Sequence, residues 1–103
     1  MLKPPPYYAV IFTSVLNPSE DYEQMATQML DLAQKQPGFL GFESARQEIG
    51  ITISYWESLE AIKNWKENSF HQLAQQKGKD EFYQSYSVKI CKVERAYDFF
   101  SKK

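Results

Sequence analysis

The sequence predicts an α+β fold, a ferredoxin-like βαββαβ sandwich with an antiparallel sheet, from the order of its apolar patterns. Short apolar runs rich in β-branched and aromatic residues are typical of strands. Two longer segments with helical spacing follow the first and the third of these runs. Helices on one face of the sheet leave the other face bare. With an aromatic content of 16%, that face is expected to pack on a second copy, giving a homodimeric α+β barrel.

The first half of the chain is predicted to form a strand, a helix and a strand. Tyr7 to Leu16 (YYAVIFTSVL) is a nearly continuous apolar run, as in a central strand covered on both faces. Asn17 is predicted to cap the following helix, with Pro18 at its first position. That helix should end before Pro37-Gly38. Phe39 to Arg46 predicts the second strand, which a polar turn joins to the third.

The second half is predicted to form a strand, two short helices and a final strand. Ile51 to Glu57 predicts the third strand, and Ser58 follows it as a helix N-cap. The helical pattern after Ser58 is predicted to break at Asn68-Ser69, and the helical run that follows is predicted to end at Gly78. The last strand is expected from Tyr86 to about Phe99. Its apolar register shifts near Ile90-Cys91, which indicates a bulge or burial on both faces.

Composition and length predict one cytoplasmic domain. Residues 7–99 are assigned to this domain, 1–6 to an N-terminal arm and 100–103 to a tail. A net charge of −1 gives no electrostatic signature for nucleic acid or an anionic membrane, and no apolar run is long enough for a membrane span. The single cysteine, Cys91, excludes an intramolecular disulfide framework and fits a reducing compartment. It is expected to be a small buried hydrophobe.

An ordered set of short motifs extends over residues 7 to 98. The set comprises Gln36 to Phe39, Ser54 to Ile62, Trp65, His71, Ala74-Gln75, Gly78, Tyr83, Tyr86 and Val93 to Tyr97. In these motifs the chain resembles the antibiotic biosynthesis monooxygenase family of dimeric α+β barrels. The resemblance implies a small oxygenase fold. The family includes cofactor-independent members that oxidise aromatic polyketides, members that degrade haem, and members with no known activity.

The same resemblance allows the haem-degrading function to be compared residue by residue. Haem-degrading members use an Asn on the first strand, a Trp on the helix after the third strand and a later His as axial ligand. Trp65 matches the Trp. The first strand, however, has no Asn before its end, and His71 falls about one turn before the axial position. No bound cofactor is therefore expected, with haem kept as an alternative.

The candidate catalytic residues are His71 and Trp65. His71 is the only side chain that exchanges a proton near neutral pH without a shifted pKa, so it is the first candidate for a general base. Its alternative interpretation is a surface or capping histidine, and that of Trp65 is core packing. A lone His without a partner at ligand spacing predicts no metal site. The predicted substrate-binding residues are Trp56, Tyr83, Tyr86 and Arg46, of which Arg46 would stabilise an anionic intermediate.

The sequence therefore predicts a small monooxygenase that acts on an aromatic or quinone-like substrate without a bound cofactor. Its pocket is expected between the helices and the sheet. A non-catalytic ligand-binding or stress-related dimer is the first alternative, and a haem-binding or haem-degrading protein is the second. The sequence lacks a nucleophile elbow, a phosphate loop and a dinucleotide fingerprint, which excludes the hydrolase, kinase and nicotinamide classes.

Overall fold

One antiparallel sheet organises the structure, a computed structural model that describes residues 3–76 and 79–102; the side chains of residues 70–80 lie outside the description. The elements in chain order are β1 (Tyr7–Leu16), α1 (Tyr22–Gln34), β2 (Phe39–Arg46), β3 (Gly50–Trp56), α2 (Leu59–Gln76), α3 (Lys79–Phe82) and β4 (Tyr83–Val93). The strands follow the order β2-β3-β1-β4, and each neighbouring pair is antiparallel. The predicted ferredoxin-like α+β fold is therefore confirmed.

Side chains on the central strands alternate between the two faces of the sheet. On β1, Tyr8 and Val10 pack on the helix side against the buried core. Ile11 lies on the opposite face, directly across from Ile53 of β3. The core cluster comprises Ala33 of α1, Trp56 of β3, and Ala61 and Ile62 of α2. Both long helices thus cover the same face of the sheet, and among the described residues no helix covers the other face.

The two helix starts differ in how far the sequence predicted them. Ser58 caps α2 as predicted, since the backbone N–H of Ala61 donates to its Oγ at 3.0 Å. The predicted cap at Asn17 is wrong, because α1 begins at Tyr22 and its N-cap residue is Asp21, without a side-chain capping bond. The Asn17 N–H donates instead to the carbonyl of Phe82 at 2.9 Å. This bond ties the end of β1 to the end of α3.

The predicted break at Asn68-Ser69 is also wrong, because α2 runs continuously from Leu59 to Gln76. The Ser69 hydroxyl donates to the carbonyl of Lys66 at 3.0 Å, so its polar group is satisfied within the helix. The Asn68 amide donates to Gln36 Oε1 at 3.0 Å. That bond anchors the helix to the end of α1. The predicted ending at Gly78 lies outside the described residues.

The last strand begins earlier and ends earlier than predicted, since β4 covers Tyr83–Val93 rather than Tyr86 to Phe99. Its register is irregular where Val15 and Leu16 pair with Ser85 and Tyr83, which leaves Gln84 as the extra residue. The bulge is therefore at the start of β4.

Cys91 is exposed, which corrects the expectation that it is buried. Cys91 lies on the edge strand β4, opposite Ala9 of β1, and on the sheet face that the long helices do not cover.

The connection from α1 to β2 follows the predicted Pro37-Gly38 signal, and Gly38 has a positive φ of 86°. A membrane-spanning helix, long and apolar enough to cross a bilayer, does not occur within the described ranges.

Candidate functional site

Adjoining cavities lie between the helices and the sheet. The β2-side cavity, which reaches Phe39, Phe42 and Arg46 of β2, has a volume of about 460 Å³. The β4-side cavity, which reaches Tyr86, Val88 and Ile90 of β4, has a volume of about 390 Å³. Both volumes are in the range of small-molecule sites. The two cavities share a lining of Val10, Phe12, Met29, Trp65, Ser69 and Tyr83.

Trp65 lies in the cavity wall, and Trp56 lies in the core. Trp65 of α2 is half-buried and lines both cavities. It stacks on Trp56, with ring centroids 5.9 Å apart and an interplanar angle of 23°. Trp56 itself is 0% exposed, and its Nε1 donates to Ser54 Oγ at 2.9 Å. Trp56 thus fixes the inner side of Trp65, while Trp65 presents its other surface to the cavities.

A cluster of rings forms the wall between β1 and β4. Phe12 stacks on Tyr86 with centroids 5.2 Å apart and meets Tyr83 edge-on at 5.5 Å. Tyr22 of α1 approaches Tyr83 edge-on at 6.1 Å. Burial, followed by the neighbouring Tyr22, raises the pKa of the Tyr83 phenol well above its usual value of 10.0. Tyr83 is therefore a neutral hydrogen-bonding group at physiological pH.

Arg46 is fixed at the β2 end of the cavities. Its Nη2 donates to Ser14 Oγ at 2.6 Å and its Nη1 to the Ser14 carbonyl at 3.4 Å. The guanidinium carbon also lies 5.6 Å from the centre of the Tyr22 ring, a cation–π distance. Gly50 is directly opposite Arg46 in the sheet, and a Cβ at that position would collide with the guanidinium. The missing side chain at Gly50 thus makes the space that the guanidinium occupies.

His71 belongs to α2, but its side chain is outside the described part of the chain. Its roles as a general base and as a haem ligand therefore stay predictions. Among the described residues, no group of three or more His, Cys, Asp or Glu side chains is placed to hold a metal ion.

The structure brings together most of the side chains that the sequence analysis selected. Trp65 and Tyr83 line both cavities, Tyr86 lines the β4-side cavity and Arg46 lines the β2-side cavity. Trp56 lies in the core, behind Trp65. Three residues that hold Arg46 in place were not predicted from the sequence: Ser14, Tyr22 and Gly50. Ser14 offered one signal, because it is a polar residue inside an apolar strand and a buried hydroxyl requires a partner; it is 2% exposed.

On the opposite sheet face, Tyr55 donates a hydrogen bond to Glu43 Oε1 at 2.7 Å. This bond, with a smaller effect of burial, raises the pKa of Tyr55 from 10.0 to about 12. Because the folded pKa is the higher one, the bond stabilises the fold fully below pH 10 and loses this effect as pH rises through 12.

We expect Tyr55→Phe to be less stable than the wild type below pH 10 and equally stable above 12. Urea unfolding across this range, with Tyr97→Phe as the exposed control, measures the difference; a constant difference would contradict the linkage.

Comparison of the sequence with known proteins gives a family and a relative. The family model for antibiotic biosynthesis monooxygenase matches residues 17–77. The uncharacterized protein YqjZ of Bacillus subtilis is 49% identical over 94 residues, which cover 88% of this chain and 82% of the relative.

Comparison of the structure with solved structures gives the same fold at low sequence identity. PA3566 from Pseudomonas aeruginosa is similar with a TM-score of 0.66 and 19% identity, over 92% of this chain and 99% of that chain. SnoaB, a cofactor-independent oxygenase from Streptomyces nogalater, is similar with a TM-score of 0.69 and 10% identity, over 89% of this chain and 97% of that chain. At these identities the similarity shows the shared fold.

Proposed function

This chain belongs to the antibiotic biosynthesis monooxygenase family, and we propose that it is a small monooxygenase that oxidises a planar aromatic or quinone-like substrate without a bound cofactor. The observation that carries the proposal is the aromatic wall of Phe12, Trp65 and Tyr83, which both cavities share. Flat rings are the natural ligands of such a wall. The shared fold with SnoaB, itself a cofactor-independent oxygenase, supports the same class of reaction.

The proposed reaction needs a substrate that can reduce dioxygen itself. A hydroxylated ring loses a proton, and the resulting anion gives an electron to O₂. One oxygen atom then becomes a carbonyl oxygen on a ring carbon that carried one hydrogen, and the other oxygen atom leaves as water with that hydrogen and the hydrogen of the ring hydroxyl. His71 is the proposed base, because an imidazole exchanges protons near neutral pH. Trp65 is proposed to hold the ring in the apolar cavity, where orientation lowers the barrier.

The wall residue Trp65 provides the first test. We expect Trp65→Ala to lower kcat/KM for oxygen uptake by about tenfold or more, because the substrate ring loses the surface that orients it. Uptake is measured with an oxygen electrode on a panel of hydroquinones and hydroxynaphthalenes. Leu59→Ala is the matched control, since Leu59 lies on the same helix and is 55% exposed. That variant should retain wild-type activity.

The possible results separate the proposed roles. Wild-type activity in Trp65→Ala would overturn the role of Trp65, and wild-type activity in His71→Ala would overturn the role of His71. Ligand binding without oxygen uptake in the wild type would support the non-catalytic ligand-binding dimer instead. A hemin titration of the wild type tests the haem alternative, since a sharp Soret band that bleaches with ascorbate in air would favour haem degradation.

We also infer that the protein is a homodimer in which two sheets face each other. Support comes from the sheet face without helices, where Ala9, Ile11, Ile51 and Ile53 form an apolar stripe across β1 and β3. Ile51 is exposed on this face of the single chain. Three aromatic side chains beyond β4 are also exposed, by 79% to 88%: Tyr97, Phe99 and Phe100. A second copy would remove these apolar surfaces from water.

A further inference from the structure

We propose that Arg46 recognises a carboxylate on the aromatic substrate, so that the β2-side cavity selects hydroxylated aromatic carboxylates over neutral aromatic molecules. The inference rests on the proposed function for the location of the substrate ring, and it adds the chemical class of the substrate. It is carried by the fixed position of the Arg46 guanidinium at one end of an otherwise uncharged, aromatic cavity.

The first support for this role of Arg46 is the charge distribution of the β2-side cavity. Arg46 is the only charged side chain among the described residues that line this cavity. Its observed contacts are with the hydroxyl and carbonyl oxygens of Ser14 and with the ring of Tyr22, and none of these contacts is with a carboxylate. A cation beside apolar walls attracts an anion more strongly than the same cation in bulk water. The cavity therefore favours a ligand with one negative charge near Arg46.

The second support is the fixed position of the Arg46 guanidinium. The guanidinium lies where a Cβ of Gly50 would be, and the hydrogen bonds to the buried Ser14 hold it there. An arginine has more N–H donors than these two bonds use, so donors remain for a ligand. A fixed planar guanidinium matches the two oxygens of a carboxylate, and it loses little conformational entropy on binding. A carboxyl group on an aromatic ring is ionised at neutral pH, so it supplies the negative charge that this position favours.

The third support is the position that the substrate ring would take in the cavity. Arg46 is an exposed residue, so the carboxylate would bind near the cavity mouth and the ring would extend inward. Along this direction the lining continues through Tyr22 and Tyr83 to Trp65. Since burial raises the pKa of the Tyr83 phenol, its hydroxyl stays neutral and does not repel the bound anion. The same hydroxyl is hydrogen-bonded to Tyr22, and its oxygen can still accept a hydrogen bond from a ring hydroxyl of the ligand.

The test compares two ligands that differ in one carboxylate, 1-hydroxy-2-naphthoate and 1-naphthol. We expect the wild type to bind the naphthoate at least about tenfold more tightly in isothermal titration calorimetry at low ionic strength. Arg46→Gln should remove this preference and leave the affinity for 1-naphthol within about twofold. Arg46→Lys should recover part of the preference, because it restores the charge without the planar fork.

A second variant tests whether the fixed position of the Arg46 guanidinium is needed, without removing its charge. Gly50→Ala displaces the guanidinium, so it should weaken naphthoate binding while 1-naphthol binding is retained. Thermal melts of each variant verify that the fold is intact. If Gly50→Ala does not fold, Ser14→Ala replaces it, since that change removes the hydroxyl that accepts the 2.6 Å bond from Nη2.

Each outcome has a distinct meaning. Equal binding of the two ligands by the wild type, or an unchanged preference in Arg46→Gln, would overturn the role of Arg46 and leave the proposed oxygenase standing. Failure of the wild type to bind either ligand would overturn both the role of Arg46 and the aromatic cavity on which the proposed function depends. Salt-sensitive preference that disappears with Arg46 supports the proposal.

Discussion

Replacing Trp56 with alanine is expected to lower the free energy of unfolding by about 3–5 kcal/mol, the usual cost of truncating a buried aromatic residue. Trp56 is 0% exposed, and its ring meets Phe39 edge-on at 5.3 Å and stacks on Trp65. Removing the indole leaves a cavity, and it also leaves Ser54 Oγ without the Nε1–H that it accepts at 2.9 Å. Since a domain of this size has a total stability of about 5–15 kcal/mol, Trp56→Ala is expected to lose a large share of it and to unfold at a clearly lower urea concentration than the wild type.

Urea unfolding followed by far-UV circular dichroism measures this loss without relying on tryptophan fluorescence. Trp56→Phe should lose less stability, because it keeps an aromatic ring in the core. Ile49→Ala is the matched control, since Ile49 is 59% exposed in the turn between β2 and β3 and should change stability by less than about 0.5 kcal/mol. A wild-type midpoint for Trp56→Ala would show that the indole does not hold the core together.

The stability of the core and the geometry of the cavities are connected through the pair of tryptophans. Trp65 lines both cavities, and its inner surface rests on Trp56. Trp56→Phe is expected to keep the fold but to remove part of that support. Any effect of Trp56 on a ligand would therefore act through Trp65.

The sequence predicted best those elements whose signals are local. The bounds of β1 and β2 match the predictions, because both are apolar runs of strand length that end in turn or helix signals. The cap at Ser58 was equally predictable, since a serine directly before a helical apolar pattern satisfies a backbone N–H of the first turn.

The errors occurred where a distant contact decided the local structure. The Asn17 N–H donates to the carbonyl of Phe82, which is far away in sequence, and the helix starts later, at Tyr22. The break at Asn68-Ser69 did not form, because Asn68 bonds to Gln36 across the helix pair and Ser69 bonds within its own helix. Propensity is a weak prior in such cases, since tertiary contacts override it.

The candidate site was predicted in part for the same reason. Trp65, Tyr83 and Tyr86 were identified by residue type and by their place on the predicted elements. The setting of Arg46 was not predictable, because Ser14 is 32 positions away in sequence and becomes its neighbour only through the pairing of β1 and β2 with β3. The collision that a side chain at Gly50 would cause is likewise a property of the register.

Replacing Ile53 with lysine is expected to dissociate the proposed homodimer. Ile53 lies in the middle of the bare sheet face, directly opposite Ile11, and its neighbours on this face include Ile51 and Ala9. A charged side chain at the centre of a sheet-to-sheet interface would be buried without a partner. Central interface residues typically cost about 2 kcal/mol or more when changed, which is a rise of about 30-fold in the dissociation constant.

Sedimentation velocity over a micromolar concentration series measures this shift. Ile49→Lys adds the same charge at an exposed turn position, so it should sediment like the wild type. Far-UV circular dichroism of Ile53→Lys distinguishes dissociation from unfolding, because a folded monomer keeps the helix and strand signal. A wild type that is monomeric at micromolar concentration would contradict the dimer itself, and a dimeric Ile53→Lys would show that the copies meet elsewhere. If the dimer dissociates as expected, the bare face of the sheet is the interface. The substrate cavities would then lie on the outer side of each sheet, because helices and cavities share the face opposite Ile53.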